Sequence, residues 1–484
     1  MVVHHFRSHT GVGIVCAVAY FDPGNWGVDL QAGSQYGYRL LFVVLLAGIF
    51  AVFLQVLASR LGCVTGLDLA SHCRLLLHSR PKHTLLYRWI GLYPLYVLSE
   101  VAIIATDLAE LLGSAIALCM LFPKLQLWHG VLITAFDVFI LLLFGDPLRG
   151  RPVRMFELTI AGLVLAVLIC IVIIISRVHV DWGKAFEGYL PSKYIFSSGA
   201  LYTSVGILGA TVMPHSLFLG SALATQDRVD PAPQHSGMSR HAHWQNRSYA
   251  FVHSHIYHGI ADVVISLFGF AVLINSLILI LASAVFFYSS AEHGAPASLF
   301  DAYDLIRDLV GKGAATLFAI ALLAAGQSSS IICTVAGQAV SEGFLHWRTS
   351  PFIRRIITRL IAIIPSMTVA IAVGRPGIDA LLVISQVVLS IVLPFIMIPL
   401  IYCTSSKSIM SVRKVRGALL LSTPSDIALR IMSPQQLEDA DMDMDDMVDF
   451  SSGRITTGIG GLICLIVAAA NVYVIISLAR GSQG

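Results

Sequence analysis

Asp22-Pro23-Gly24-Asn25 interrupts an apolar run over residues 11–34, and Gly209-Ala210-Thr211-Val212-Met213-Pro214-His215 interrupts a second over 199–224. Proline removes a backbone donor and glycine relaxes the helix, so nearby carbonyls lose their i+4 partners. An aspartate at the centre of a bilayer costs roughly 2.5–3.5 kcal/mol on insertion scales. Such a cluster persists in an apolar segment only where it lines a cavity or binds something. The second break repeats the pattern, with a proline, small residues and an ionisable residue at mid-span. A lone proline there reads as a kink and a lone methionine as packing. Two such breaks in matching positions point to a site.

The rest of the chain supplies the surroundings. Of 484 residues, 56% are hydrophobic and 12% charged, with a mean hydropathy of +0.80. Soluble domains carry about 25% charged residues, so this composition excludes a soluble enzyme, a disordered chain and a DNA-binding module. The net charge of +3 implies no polyanionic partner. Apolar runs of about 20 residues suffice to span a bilayer as helices. Candidates lie near 11–34, 40–58, 89–122, 127–144, 155–176, 199–224, 258–288, 314–345, 356–373, 379–404 and 455–478. A strand reading fails, because the runs are apolar all round and do not alternate.

The two breaks lie five spans apart. Five is odd, so the second element enters the membrane inverted relative to the first, as in transporters whose discontinuous helices meet at the midplane. The expected fold is an all-α polytopic membrane protein: an inverted-repeat (5+5) symporter fold with discontinuous first and sixth helices, plus an eleventh helix. Residues 1–10 form a short cytoplasmic N-terminus and 11–404 a ten-helix transport core, with repeats at about 11–176 and 199–404. A cytoplasmic acidic linker, 405–454, precedes the eleventh helix and C-terminus, 455–484. Counting Lys and Arg on alternate sides puts 22 of 31 with the N-terminus, which is therefore expected inside. The first span then acts as its own insertion signal, in a plasma membrane or an endomembrane. Asn246-Arg247-Ser248 falls in an inner loop and should carry no glycan.

The eight cysteines show no C-x-x-C pair and sit mostly in apolar runs, so they read as core residues. Residues 226–258 hold six of the 17 histidines and read as a solvated loop in preference to a metal site. The acidic tract 438–449 reads as unstructured.

At the junction of the breaks the chain offers the Asp22 carboxylate, the Asn25 amide oxygen, the Met213 thioether and freed carbonyls. Calcium and magnesium want oxygen ligands alone, whereas a thioether tolerates softer ions. The set favours manganous or ferrous ions over calcium. In the third span Glu100, Asp107 and Glu110 lie at intervals of seven and three, on one helical face. Such a stripe is costly unless paired or hydrated, and Arg354 and Arg355 are natural partners. His215 falls between the break and the stripe, and an imidazole titrates near neutrality. Proton relay is one reading of these groups and a bracing salt-bridge network the other. Asp137, Glu157 and Asp262 receive no role. There is no phosphate-binding loop, since Val310-Gly311-Lys312-Gly313 lacks the spacing, so ion gradients are the expected energy source. Three other functions compete with this reading: a symporter of the same fold for amino acids or sodium, an intramembrane hydrolase, and a metal-sensing receptor. Neither a G-x-S-x-G turn nor an H-E-x-x-H pair supports the hydrolase.

Asp-Pro-Gly-Asn at 22–25 and Met-Pro-His at 213–215 resemble the paired signatures of the Nramp (natural resistance-associated macrophage protein) divalent-metal transporters. Further stretches match: Ala105-Thr106-Asp107-Leu108-Ala109-Glu110, Gly326-Gln327-Ser328-Ser329-Ser330, Ala336-Gly337-Gln338, Arg354-Arg355 and Ser385-Gln386-Val387-Val388-Leu389-Ser390. The resemblance covers about residues 11–404. It implies the fold of sodium-coupled amino-acid symporters and proton-coupled import of manganese or iron, with no enzyme activity and no cofactor; the metal ions and protons are substrates. Carried over by position, the metal ligands fall on Asp22, Asn25 and Met213, the carbonyls of Ala19 and Ala210, and Gln386 in some states. Thr211 and Asn275 become gate residues. The implied proton pathway runs through Asp22, His215, Glu100, Asp107 and Glu110, with Arg354 and Arg355. Many members have a second histidine five residues after the first; here that position is Gly220.

Overall fold

The first apolar run folds as two helices, α1 (Val12–Val18) and α2 (Pro23–Tyr36), and Asp22 separates them. Its backbone is extended (φ −64°, ψ 170°), and its side chain accepts the Asn25 N–H at 2.9 Å, capping α2. Pro23 takes the first helical position, where a missing N–H is harmless. The sixth run repeats this design. α9 (Ala200–Thr211) and α10 (Pro214–Leu223) are separated by Met213, extended at φ −76° and ψ 123°, with Pro214 opening α10.

These helices belong to a computed structural model that describes residues 12–78, 80–134, 154–197, 199–226, 246–288, 297–346, 351–414 and 446–480. Between the breaks run α3 (Leu41–Thr65), α4 (Leu69–His78), α5 (Tyr93–Leu121), α6 (Leu127–Thr134), α7 (Arg154–Ile175) and the short α8 (Trp182–Glu187). After the second break come α11 (Tyr249–Ser266) and α12 (Leu273–Ala282), continuous through a π-turn at Leu267–Val272. α13 (Leu299–Leu309), α14 (Lys312–Leu345), α15 (Pro351–Ala372) and α16 (Arg375–Ser405) follow. α17 (Arg454–Ala479) packs on α16, where Ser390 donates to Asn471 Oδ1 at 2.7 Å and Asn471 Nδ2 returns a bond to the Ser390 carbonyl at 2.6 Å.

Among the described residues eight helices are long and apolar enough to cross a bilayer, with Ile356–Ala372 a shorter apolar one. Large apolar side chains face outward: Leu158 and Ile364 are each 68% exposed and Leu465 66%. Inside, Trp26 meets Phe318 edge-on at 5.4 Å, both fully buried. A bundle with a packed core and an apolar exterior belongs in lipid.

Two expectations change. α11 starts at Tyr249 because the Ser248 hydroxyl accepts the Phe251 N–H, so His253, His255 and His258 lie on a helix and not in the solvated loop. His255 is buried and stacks on Phe251 with ring centroids 4.2 Å apart; His235, His241 and His243 lie outside the described residues. The end of the acidic tract is also ordered. Asp446–Asp449 (β2) pairs antiparallel with Ser411–Lys414 (β1), placing Lys414 opposite Asp446 and Val412 opposite Val448. A valine pair across the strands, and Lys407 at 3.4 Å from Asp449, supply what an acidic run lacks alone. Residues 438–445 lie outside the described set. Arg60 ties the hairpin to α3, donating to the Phe450 carbonyl at 2.7 Å, and Asn246 donates to the Ile409 and Ser411 carbonyls at 2.7 and 2.6 Å. The span near 127–144 is described through Thr134, and Asp137 lies outside the described residues. Asp262 has a packing role: its Oδ2 accepts the Gly13 N–H at 2.7 Å, holding α1 to α11.

Candidate functional site

The i+4 partner of the Ala19 carbonyl would be residue 23, and that of the Ala210 carbonyl residue 214. Both are prolines, so neither carbonyl can close a helical hydrogen bond there. The same spacing rule thus frees one carbonyl at each break. The breaks meet through Asn25, whose Nδ2 donates to Asp22 Oδ1 at 2.8 Å and to the Ala210 carbonyl at 2.9 Å. Asn275 of α12 supports them, donating Nδ2 to the Tyr20 carbonyl at 2.7 Å and to Asn25 Oδ1 at 3.3 Å.

Glycine permits the approach of α16. A Cβ on Gly24 would collide with the Gln386 amide, and one on Gly209 with the Gln386 carbonyl oxygen. Gln386 is therefore wedged between the two broken helices, its Nε2 donating to Ser385 Oγ at 3.1 Å. Asp22, Met213 and Gln386 are each 0% exposed. Asp22 Oδ2, Thr211 Oγ1, Asn275 Oδ1 and Gln386 Oε1 are buried and have no hydrogen-bond partner. An orphaned buried acceptor costs about 1–3 kcal/mol, so four from four different segments mark a place built to receive positive charge. The carbonyl of Met213 accepts from Ser216 Oγ at 2.8 Å, while its thioether is the one sulfur supplied by either break.

His215, one residue past Pro214, is 1% exposed. Its Nδ1 lies 3.3 Å from Thr106 Oγ1 on α5, and its Nε2 has no partner. The structure thus joins the break to α5 beside Asp107. The acids of α5 each have a neighbour. Arg354 pairs with Glu100 at 2.6 Å, Arg359 with Asp107 at 3.5 Å, and Ser329 donates to Glu110 at 2.6 Å. Arg359 also donates to the Asp107 carbonyl at 3.3 Å and to Ser330 Oγ at 2.6 Å. The Arg355 side chain lies outside the described set. The partner of Asp107 is Arg359. Its signal was present: it stands inside the apolar run 356–373, where a charge needs a partner.

The place of the absent second histidine is also filled. Gly220 abuts the Gln55 amide, which links Cys16 Sγ (3.2 Å) to the Tyr20 hydroxyl (3.0 Å), and that hydroxyl reaches Ser216 at 2.7 Å. A side chain at 220 would displace Gln55. Tyr20, Gln55 and Ser216 carry no motif signal in a single sequence, and Thr106 lies in a matching stretch that gives it no role; only the packing exposes them.

The family described as Nramp, natural resistance-associated macrophage protein-like, matches residues 13–423. Manganese transporter pdt1 of Schizosaccharomyces pombe is 42% identical over 486 residues, covering 99% of this chain and 87% of its own. Iron transporter SMF3 of Saccharomyces cerevisiae is 40% identical, covering 100% and 98%. The crystal structure of the Eremococcus coleocola manganese transporter superposes with a TM-score of 0.74 at 30% identity, over 97% of this chain and 86% of that one. A nucleobase-cation symporter, Mhp1, shares the fold at a TM-score of 0.56 and 13% identity. With the profile spanning most of the sequence and two full-length relatives at 40% identity or more, this chain belongs to the Nramp family.

Proposed function

We propose that this protein carries divalent transition-metal ions, manganous or ferrous, across a membrane toward the cytosol, with protons moving alongside them. The observation that carries this is the junction itself: one carboxylate, two proline-freed carbonyls and a methionine at two opposed helix breaks, bridged by Asn25. The Asn25 amide nitrogen donates to two of the oxygens that a dication would take, Asp22 Oδ1 and the Ala210 carbonyl. It stands where positive charge belongs. When an ion arrives, rotation of the amide turns Oδ1 inward and releases both acceptors, so the ion replaces a hydrogen-bond donor without stripping a preformed salt bridge. Asp22, Asn25, Met213 and the carbonyls of Ala19 and Ala210 are the ligands in this reading, with Gln386 joining as α16 shifts. Thr211 and Asn275, each with an unbonded oxygen beside the site, gate access.

Oxygen ligands hold manganese or iron well, and the Met213 sulfur adds nothing for calcium. A single carboxylate leaves the 2+ charge partly uncompensated, which favours release. In this reading protons pass from Asp22 to His215, then by Thr106 to Asp107, Glu110 and Glu100, with Arg354 paired to Glu100 and Arg359 to Asp107 along the way. The charge bias of the loops supports a cytosolic N-terminus. A membrane potential supplies about 2.3 kcal/mol per charge per 100 mV, so a proton entering with the metal adds to the drive. Manganese uptake into proteoliposomes tests this. Uptake should rise when the outside is acidified and should be lost in Asp22→Ala; equal uptake by both proteins would overturn the assignment.

A further inference from the structure

Asp29 takes no part in the site above. It lies on α2, is 1% exposed, and its Oδ2 has no hydrogen-bond partner. A carboxylate buried this way in a membrane helix needs a function or a partner. Seven residues beyond Asp22, it stands about 10 Å farther along the helix at 1.5 Å per residue, and only about 20° around it. The two carboxylates therefore share a face.

That face looks onto α12. Asn25, four residues before Asp29, contacts Asn275 at 3.3 Å. Gly33, four residues after, lies so close that a Cβ there would come within 2.7 Å of Ala282 Cβ and 3.0 Å of the Ser283 nitrogen. Asp29 sits on the strip between these contacts, and the matching stretch of α12 begins with Asn275 and Ser276. Ser276 is 2% exposed, its Oγ makes no hydrogen bond of good geometry, and the Tyr189 hydroxyl from the α8–α9 loop reaches toward it. The Asn275 Oδ1 also has no partner. Beyond Gly33 the strip ends under a plug in which Tyr38 stacks on Tyr288 at 4.9 Å and Arg39 covers the Tyr194 ring at 4.0 Å. Unbonded oxygens on Asp29, Ser276, Asn275 and Asp22 thus lie along this strip, inward of the plug.

We infer that Asp29, with the oxygens of Ser276 and Asn275, is a second station for the transported dication, lying between the plugged end and the Asp22 site. The inference rests on the divalent-metal reading of that inner site. The outer station holds oxygen donors only, so it accepts hard and borderline dications alike and leaves selection to the inner site with its thioether. Two dications about 10 Å apart in a weakly screened interior repel strongly, so the stations fill one at a time and the ion is handed inward.

The test uses the full chain in proteoliposomes and detergent, with manganese as the probe. Losing a charged ligand at a station on the route should raise the manganese KM of Asp29→Asn about tenfold, with the maximal rate within about twofold. Asp29→Glu keeps the charge and should stay within about threefold of wild type. By equilibrium titration, wild type should bind one manganese ion, Asp22→Ala should still bind one more weakly, and Asp22→Ala/Asp29→Asn none. An unchanged KM in Asp29→Asn, or loss of all binding in Asp22→Ala alone, overturns the inference. Should Asp29→Asn not reach the membrane, Ser276→Ala decides: a KM raised about threefold supports the station, and an unchanged KM removes it. Absence of manganese uptake by the wild type would instead refute the metal-transport reading.

Discussion

Gly209→Ala puts the geometry of the two breaks to a steric test. A Cβ at 209 falls on the Gln386 carbonyl oxygen and within 2.8 Å of both the nitrogen and Cβ of Ser390. A comfortable carbon–oxygen contact is about 3.3 Å or longer, and the obstructing atoms are backbone, so α9 and α16 must part by about 1 Å. Two effects on stability oppose each other. Alanine in place of helical glycine gains about 1 kcal/mol, and overpacking costs about 1–3 kcal/mol. The variant should therefore fold, destabilised by at most about 2 kcal/mol. Ala210 is the next residue and Gln386 the obstructed one, so the same displacement moves two ligands of the proposed site. A shift of about 1 Å in reacting groups can lower rates about a hundredfold, and manganese uptake should fall by about that factor while size-exclusion behaviour stays normal. Gly206→Ala, three residues earlier, is the control. Its Cβ would meet only the Val28 side chain, at 3.2 and 3.7 Å, and uptake should change less than about threefold. Uptake by Gly209→Ala within threefold of wild type would refute the claim that the α9–α16 approach positions the ligands.

Other variants separate the remaining parts. Met213→Ala should lose most manganese uptake and gain calcium uptake, read by isotope competition; an unchanged preference would deny the thioether a role. Pro214→Ala restores an N–H that can pair with the Ala210 carbonyl, so it should raise thermal stability and weaken manganese binding; tighter binding would contradict the freed-carbonyl argument. Arg359→Leu strips the partner from a buried acid, costing about 3–5 kcal/mol, and Arg359→Leu/Asp107→Leu should recover much of it. Additive losses in thermal unfolding would show that the two residues do not act as a pair.

How much of this was legible in the sequence depends on the kind of signal. The broken helices were readable because proline, glycine and aspartate contradict an apolar run locally; Asp22 caps its helix through its neighbour Asn25, and Pro214 opens the helix after Met213. The start of α11 was not, because its first turns are rich in histidine and polar groups, and the burial of His255, stacked on Phe251, is a matter of packing. The β1–β2 pair was hidden for a similar reason. Each strand has a one-sided charge that looks solvated until its opposite, more than 30 residues away, is alongside. Arg359 shows the same limit inside the membrane: its position in an apolar run announced a partner, but only the fold names Asp107. Asp29 went unremarked because it lies near the conspicuous Asp-Pro-Gly-Asn, and its burial against α12 is a tertiary fact.

The account stands on a dication held jointly by oxygens and the Met213 sulfur across two opposed breaks. X-ray absorption at the manganese edge, on protein loaded with one equivalent of Mn2+, measures that shell directly. One sulfur among oxygen neighbours, lost in Met213→Ala, is the predicted result; an all-oxygen shell in the wild type would contradict it.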